Sequence, residues 1–127
     1  MAQFFSADYF QDLQKTLNND PDFKAKTANV NSTILMVNRD TKKSFLLKVE
    51  RGTATIAEGN EETKADFTFI GDTATWVANH KGEAPMEKLV LTGKLKFKGS
   101  IPKIMGMKNQ LNIIDRLAQT VPAEMPA

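Results

Sequence analysis

The chain has 127 residues, 41% of them hydrophobic and 25% charged, with no Cys, one His and a formal net charge of +2. These values fit one globular domain and exclude collagen-like, disordered and disulfide-scaffold classes. Without Cys there is no thiolate chemistry and no Cys-ligated zinc, and the small net charge gives no argument for nucleic acid as a partner.

No apolar run approaches the roughly 20 residues that span a bilayer. Residues 1–6 lack the basic and apolar regions of a signal peptide, so the expected location is cytoplasmic. The charge is unevenly spread: residues 1–80 carry 9 basic and 11 acidic side chains, residues 81–127 carry 8 and 4. The mildly basic C-terminal third is either a solvated face or a means of meeting an anionic ligand or surface.

A helix opens the chain. Ser6 is its N-cap and Asp8 suits its first turn. Phe5, Tyr9, Leu13 and Leu17 recur every four residues, Phe10 widens the stripe, and Asn18-Asn19-Asp20-Pro21 ends it. Residues 21–29 add a short helical turn. Thr33-Ile34-Leu35-Met36-Val37 then reads as a strand. After a polar turn, Phe45, Leu47 and Val49 alternate with Leu46, Lys48 and Glu50. Arg51-Gly52 turns the chain into a third strand with Ala54 and Ile56 on one face. Glu58, Glu61 and Glu62 fall in a loop, and Ala65, Phe67 and Phe69 mark a fourth strand. The short connections among the first three imply an antiparallel meander.

The period then changes. Asp72 caps a short helix carrying Trp76 and Val77, which Gly82 ends. Pro85 starts a second short helix with Met86, Leu89 and Val90 on its apolar side. In a fifth strand Leu95 and Phe97 point one way and Lys94, Lys96 and Lys98 the other. Ser100 and Pro102 begin a last helix, 100–118, whose stripe holds Ile101, Ile104, Met105, Met107, Lys108, Leu111, Ile114 and Leu117. Residues 119–127 read as a loose tail. The order is helix, four strands, two short helices, strand, helix, with one face of the sheet consistently apolar: an α+β domain whose antiparallel-dominated sheet is covered on one face by helices.

Catalytic constellations are missing from the pattern. His80, the single His, sits at a helix end, and no partners supply a metal site. The carboxylates at 58, 61 and 62 are loop residues, and Asp66 falls on the outward alternation. The glycines do not form a phosphate-binding loop. The three-lysine row either keeps a sheet face soluble or touches acidic head groups. The Met- and Ile-rich final helix either caps the core or lines an adaptable cavity. No cofactor or metal is expected, and the chain is not read as an enzyme.

The stretch Ala65-Asp66-Phe67-Thr68-Phe69, then Gly82, then Gly93-Lys94-Leu95-Lys96-Phe97-Lys98-Gly99, resembles the sterol carrier protein type 2 family over roughly residues 6–118. The resemblance implies a single lipid-binding domain spanning 1–127 with core 6–118. It also implies a five-stranded sheet and an apolar tunnel between sheet and helices for a fatty acid, acyl-CoA, sterol or phospholipid. It places in the tunnel wall Phe67, Phe69, Trp76, Val77, Met86, Leu89, Val90, Leu95 and Phe97, with Ile104, Met105, Met107, Lys108 and Leu111 from the final helix. Lys108 departs from the uncharged polar residue of some relatives and favours an anionic head group, or snorkels outward. The C-terminal Glu124-Met125-Pro126-Ala127 lacks a peroxisomal tripeptide. The implied partners are a lipid and, transiently, a membrane surface, with a monomer favoured. The alternative is an accessory or scaffold module that fills its own core.

Overall fold

The computed structural model describes residues 1–126, so Ala127, the last residue of the expected tail, lies outside the described residues. The first helix, α1 (Ala7–Asn18), starts where the sequence places it. The Ser6 hydroxyl accepts the Tyr9 N–H, and Tyr9, Phe10, Leu13 and Leu17 form its buried face. Phe5 lies just before the cap and its ring meets Phe10 edge-on at 5.0 Å, a hydrophobic staple that fixes the entry angle. A short strand, β1 (Ala2–Gln3), precedes it, and α2 (Pro21–Lys26) follows, capped by the Asp20 carboxylate on the Phe23 N–H.

Five strands build the main sheet: β2 (Asn31–Asn38), β3 (Lys43–Glu50), β4 (Thr53–Gly59), β5 (Phe67–Gly71) and β6 (Lys96–Gly99). Their order is β4-β3-β2-β5-β6. Three pairings are antiparallel, including the expected meander, and the central β2–β5 pairing is parallel. The parallel pair arises because residues 60–66 cross from the edge strand β4 to the far side of β2. Asp66 anchors that crossing: its Oδ2 accepts the Thr33 N–H at 3.0 Å while Thr33 Oγ accepts the Asp66 N–H at 2.9 Å. The carboxylate at the start of β5 is therefore a strand clamp.

Ile34, Met36, Phe45, Leu47, Val49, Ala54, Ile56, Phe67 and Phe69 form the inner face and pack with the helices into one core. The outer face carries Lys48, Glu50, Lys96 and Lys98, all exposed, as alternation requires, with Lys94 exposed just ahead of β6 and Thr68 half-buried. It is not polar throughout. Leu35 and Val37 point away from the helices, yet are only 1% and 2% exposed. The 60–66 crossing lies on this side, where Glu61, Glu62, Thr63, Lys64 and Ala65 form a groove with Val37, Thr68 and Ile70.

Two short helices follow β5: α3 (Thr73–His80), capped by Asp72 on the Thr75 N–H, and α4 (Met86–Leu91). The expected continuous helix over 100–118 is in fact two, α5 (Ile101–Met105) and α6 (Lys108–Ala118). Gly106 ends the first and Met107, with φ of −104°, starts the second. Glycine weakens a helix interior by about 1 kcal/mol relative to Ala, and the break lets α6 bury Leu111, Ile113, Ile114 and Leu117 while α5 buries nothing. The tail also departs from expectation. Val121 is 2% exposed, and β7 (Ala123–Glu124) pairs in parallel with β1, so the two chain ends fasten one another.

Candidate functional site

The break between α5 and α6 opens a cleft among helices. A cavity of about 140 Å³ lies there, walled by Met86 and Glu87 of α4, Ile104 and Met105 of α5, and Lys108, Leu111, Asn112 and Asp115 of α6. A smaller void of about 40 Å³ lies deeper, among Phe4, Phe5, Tyr9, Phe10, Met36, Trp76, Asn79, His80 and Ile114. Met86 and Asp115 border both, so these two side chains stand between the outer cavity and the inner one that reaches β2. Two larger grooves, near 700 Å³ each, are shallow features of the surface. One runs between α3 and the 92–94 turn past Arg39, Asp72, Glu83, Lys88 and Lys94, and the other lies under the 60–66 crossing. Their charged rims suit water better than an apolar ligand.

Of the side chains assigned to a tunnel wall, Met86, Ile104, Met105, Lys108 and Leu111 meet at the outer cavity, and Trp76 borders the inner void. Met105 is 70% exposed and stands at the rim. Phe67, Phe69 and Leu95 are buried in the core and Phe97 packs against it, with ring centroids 5.2 Å from Phe69 and 6.1 Å from Phe67. Val90 and Met107 are half-buried against the same core, Val77 is half-buried on α3, and Leu89 borders the groove beside α3. None of these eight lines either cavity. The cavity sits between α4, α5 and α6 and not directly on the sheet, which is why the strand residues fall outside it.

Lys108 carries its charge outward and is neutralised: its Nζ lies 3.6 Å from the Glu87 carboxylate, with both side chains more than half exposed. The mouth therefore presents an ion pair in place of the lone cation expected from the sequence.

Sequence reasoning missed the polar interior. Asp115 is 7% exposed. Its Oδ2 accepts the Met86 N–H at 3.1 Å, a service that Pro85, which makes no cap hydrogen bond, leaves open at the start of α4. Its Oδ1 accepts from Asn79 Nδ2 at 3.4 Å. Burial pushes the carboxyl up to about 6, against the lowering pull of these two hydrogen bonds. Tyr9 Oη meets His80 Nδ1 at 3.0 Å beside the inner void. Burial, aided by the Asp115 charge, raises the Tyr9 phenol, and burial lowers His80. The available signal for Asp115 was its position four residues after Leu111, an acid on an apolar stripe.

The architecture has known counterparts. Residues 10–112 match the model of the SCP-2 sterol transfer family. The chain belongs to that family. Three solved structures share the fold of this SCP-2 chain. A crystal structure of sterol carrier protein 2 is 16% identical, with a TM-score of 0.81, covering 94% of this chain and 100% of its own. A conserved hypothetical protein of Thermus thermophilus, described as a possible sterol carrier protein, is 17% identical, with a TM-score of 0.83, covering 100% and 94%. The apo form of sterol carrier protein 2 from Yarrowia lipolytica is 22% identical, with a TM-score of 0.62, covering 94% and 96%. No curated protein matches the chain in sequence. Among the described residues no helix is long and apolar enough to cross a membrane.

Proposed function

We propose that this SCP-2 domain is a non-catalytic lipid carrier of the cytoplasm, monomeric, which holds the apolar part of a fatty acid, acyl-CoA, sterol-like or phospholipid ligand in the cavity beneath α5. The observation that carries this reading is the cavity's construction. Met86, Ile104, Met105 and Leu111 make apolar walls, and one of those walls, α5, buries none of its own residues. At about 140 Å³ the resting cavity is smaller than the roughly 300 Å³ at which ligand pockets usually begin. Binding therefore requires α5 to swing outward and Met86 to rotate, enlarging the outer cavity. Met suits that task because its unbranched chain repacks around different neighbours. Each methylene so buried gains about 0.8 kcal/mol.

The rim supports delivery at a membrane surface. Leu91 is 79%, Ile101 53% and Met105 70% exposed. Leu91 lies one turn beyond Glu87 on α4, and Ile101 one turn before Met105 on α5, so all three lie around the mouth with Lys103 and Lys108 exposed nearby. Tunnel-lining roles for the sheet residues Phe67, Phe69 and Phe97 would require an expansion that reaches the inner core.

The accessory-module reading draws on a different observation: Phe5, Phe10 and Trp76 leave only about 40 Å³ at the inner void. Calorimetric titration of the chain with a panel of long-chain lipids separates the two. Saturable one-to-one binding supports the carrier, and no heat from any lipid class supports the module.

A further inference from the structure

Asp115 stands where the two cavities meet. Its two protein hydrogen bonds, at 3.1 and 3.4 Å, leave much of its capacity unused, because an ionised carboxylate offers about four acceptor sites. No cation completes it: among the described residues no salt bridge reaches Asp115, and Lys108 on the cavity wall is taken by Glu87. The ionisable groups around it are Tyr9 from α1, His80 from α3, Glu87 from α4 and Lys108 from α6 itself. None of these supplies a free positive charge at neutral pH, since burial holds His80 toward its neutral form.

From the mouth, where Glu87 and Lys108 pair, the wall toward Asp115 is formed by Met86, Ile104, Met105 and Leu111, with Asn112 the one uncharged polar side chain among them. A methylene chain driven past Asp115 would wrap the carboxylate in hydrocarbon and leave its remaining acceptor sites unmet. A ligand carboxylate set against it would bring two like charges together away from water. A hydroxyl at the inner end avoids both penalties, because it donates to Asp115 while its chain runs outward along Ile104, Met105 and Leu111.

We propose that Asp115 is the specificity-determining residue of the cavity, selecting a lipid whose polar end donates a hydrogen bond, such as a long-chain alcohol, and rejecting the matching carboxylate. The proposal rests on the carrier reading and narrows its ligand class.

The test is calorimetric titration of the full chain with 1-dodecanol and with dodecanoate near pH 8, on the wild type and on Asp115→Asn. The wild type binds the alcohol roughly tenfold or more tightly than the acid. In Asp115→Asn the amide still accepts the Met86 N–H, carries no charge and adds a donor, so the ratio falls to within about threefold, chiefly because the acid binds better. A purely structural Asp115 would weaken both ligands together and leave the ratio unchanged. That result, or equal affinities in the wild type, overturns the proposal and leaves the carrier reading standing. Where circular dichroism shows Asp115→Asn unfolded, the wild-type ratio decides alone. Binding of neither ligand by the folded wild type overturns the proposal, and the carrier reading falls with it only when the wider lipid panel also gives no binding.

Discussion

Replacing Asp115 by Asn should remove a descending limb from the dependence of stability on pH. In the folded protein burial raises the carboxyl from 3.8 to about 6, with the Met86 and Asn79 hydrogen bonds opposing. A carboxyl raised on folding favours the fold while protonated. Its contribution is fully present below about pH 3.8 and is lost as pH rises through about 6. Two units at about 1.4 kcal/mol each make the loss about 3 kcal/mol by neutral pH. His80 works in the opposite direction: burial depresses it, so its contribution is present above the usual histidine range and lost as pH falls. Asp72, held low first by its hydrogen bonds to Thr75, also loses its contribution as pH falls. Both are common to the two proteins and cancel in the difference. The amide at 115 must reconcile its own NH₂ with that of Asn79, which gives a constant offset and no slope. Urea midpoints from about pH 4 to about pH 8, at constant m-value, measure the difference. Asn should gain on Asp by about 2.5 kcal/mol across that range, the first part of the loss falling below about pH 4. A difference constant to within about 0.5 kcal/mol would show that the carboxylate is solvated in solution, and the burial argument would fail.

Leu111→Trp should lower lipid affinity with the fold retained at a cost of about 1–3 kcal/mol, because the indole occupies the outer cavity that Leu111 lines; titration and thermal melting check both parts. Lys94→Glu combined with Lys96→Glu should change stability by less than about 0.5 kcal/mol, since both side chains are exposed; a large fall in melting temperature would contradict the register of β6. Gly99→Ala should cost more than about 1 kcal/mol in a denaturation experiment, because Gly99 has φ of +143° and a Cβ there would stand 2.8 Å from the Asp66 carbonyl oxygen.

Local signals made much of the fold legible. The Ser6 cap and the Phe5, Tyr9, Leu13, Leu17 spacing located α1, and strand alternation located the inner face of β3, β4 and β5. The Gly52 turn gave the meander. Long-range choices were not legible. The parallel pairing of β2 with β5 depends on a crossing clamped by Asp66 and Thr33, residues 33 positions apart. The buried outer-face pair Leu35 and Val37 was visible only as an unbroken apolar run, which does not say what covers it. The β1–β7 pairing joins opposite ends of the chain through two residues each, too short for any periodic signal. For the cavity, the apolar richness of 100–118 left core cap and cavity wall open, and the family resemblance pointed to Ile104, Met105, Lys108 and Leu111. Neither revealed the split at Gly106 that opens the cleft, or that Lys108 would be paired to Glu87. Asp115 falls on the apolar stripe four residues after Leu111, but its partners, the Met86 N–H and Asn79, come from α4 and α3 and carry no local signal.

The most direct test of lipid carriage is native mass spectrometry of the full chain purified without added lipid, followed by incubation with 1-dodecanol and other long-chain lipids. A carrier gives a peak displaced by the mass of one lipid, present as isolated or appearing on incubation, and Leu111→Trp diminishes it. An unliganded mass alone, unchanged by every lipid class offered to a folded chain, would contradict lipid carriage.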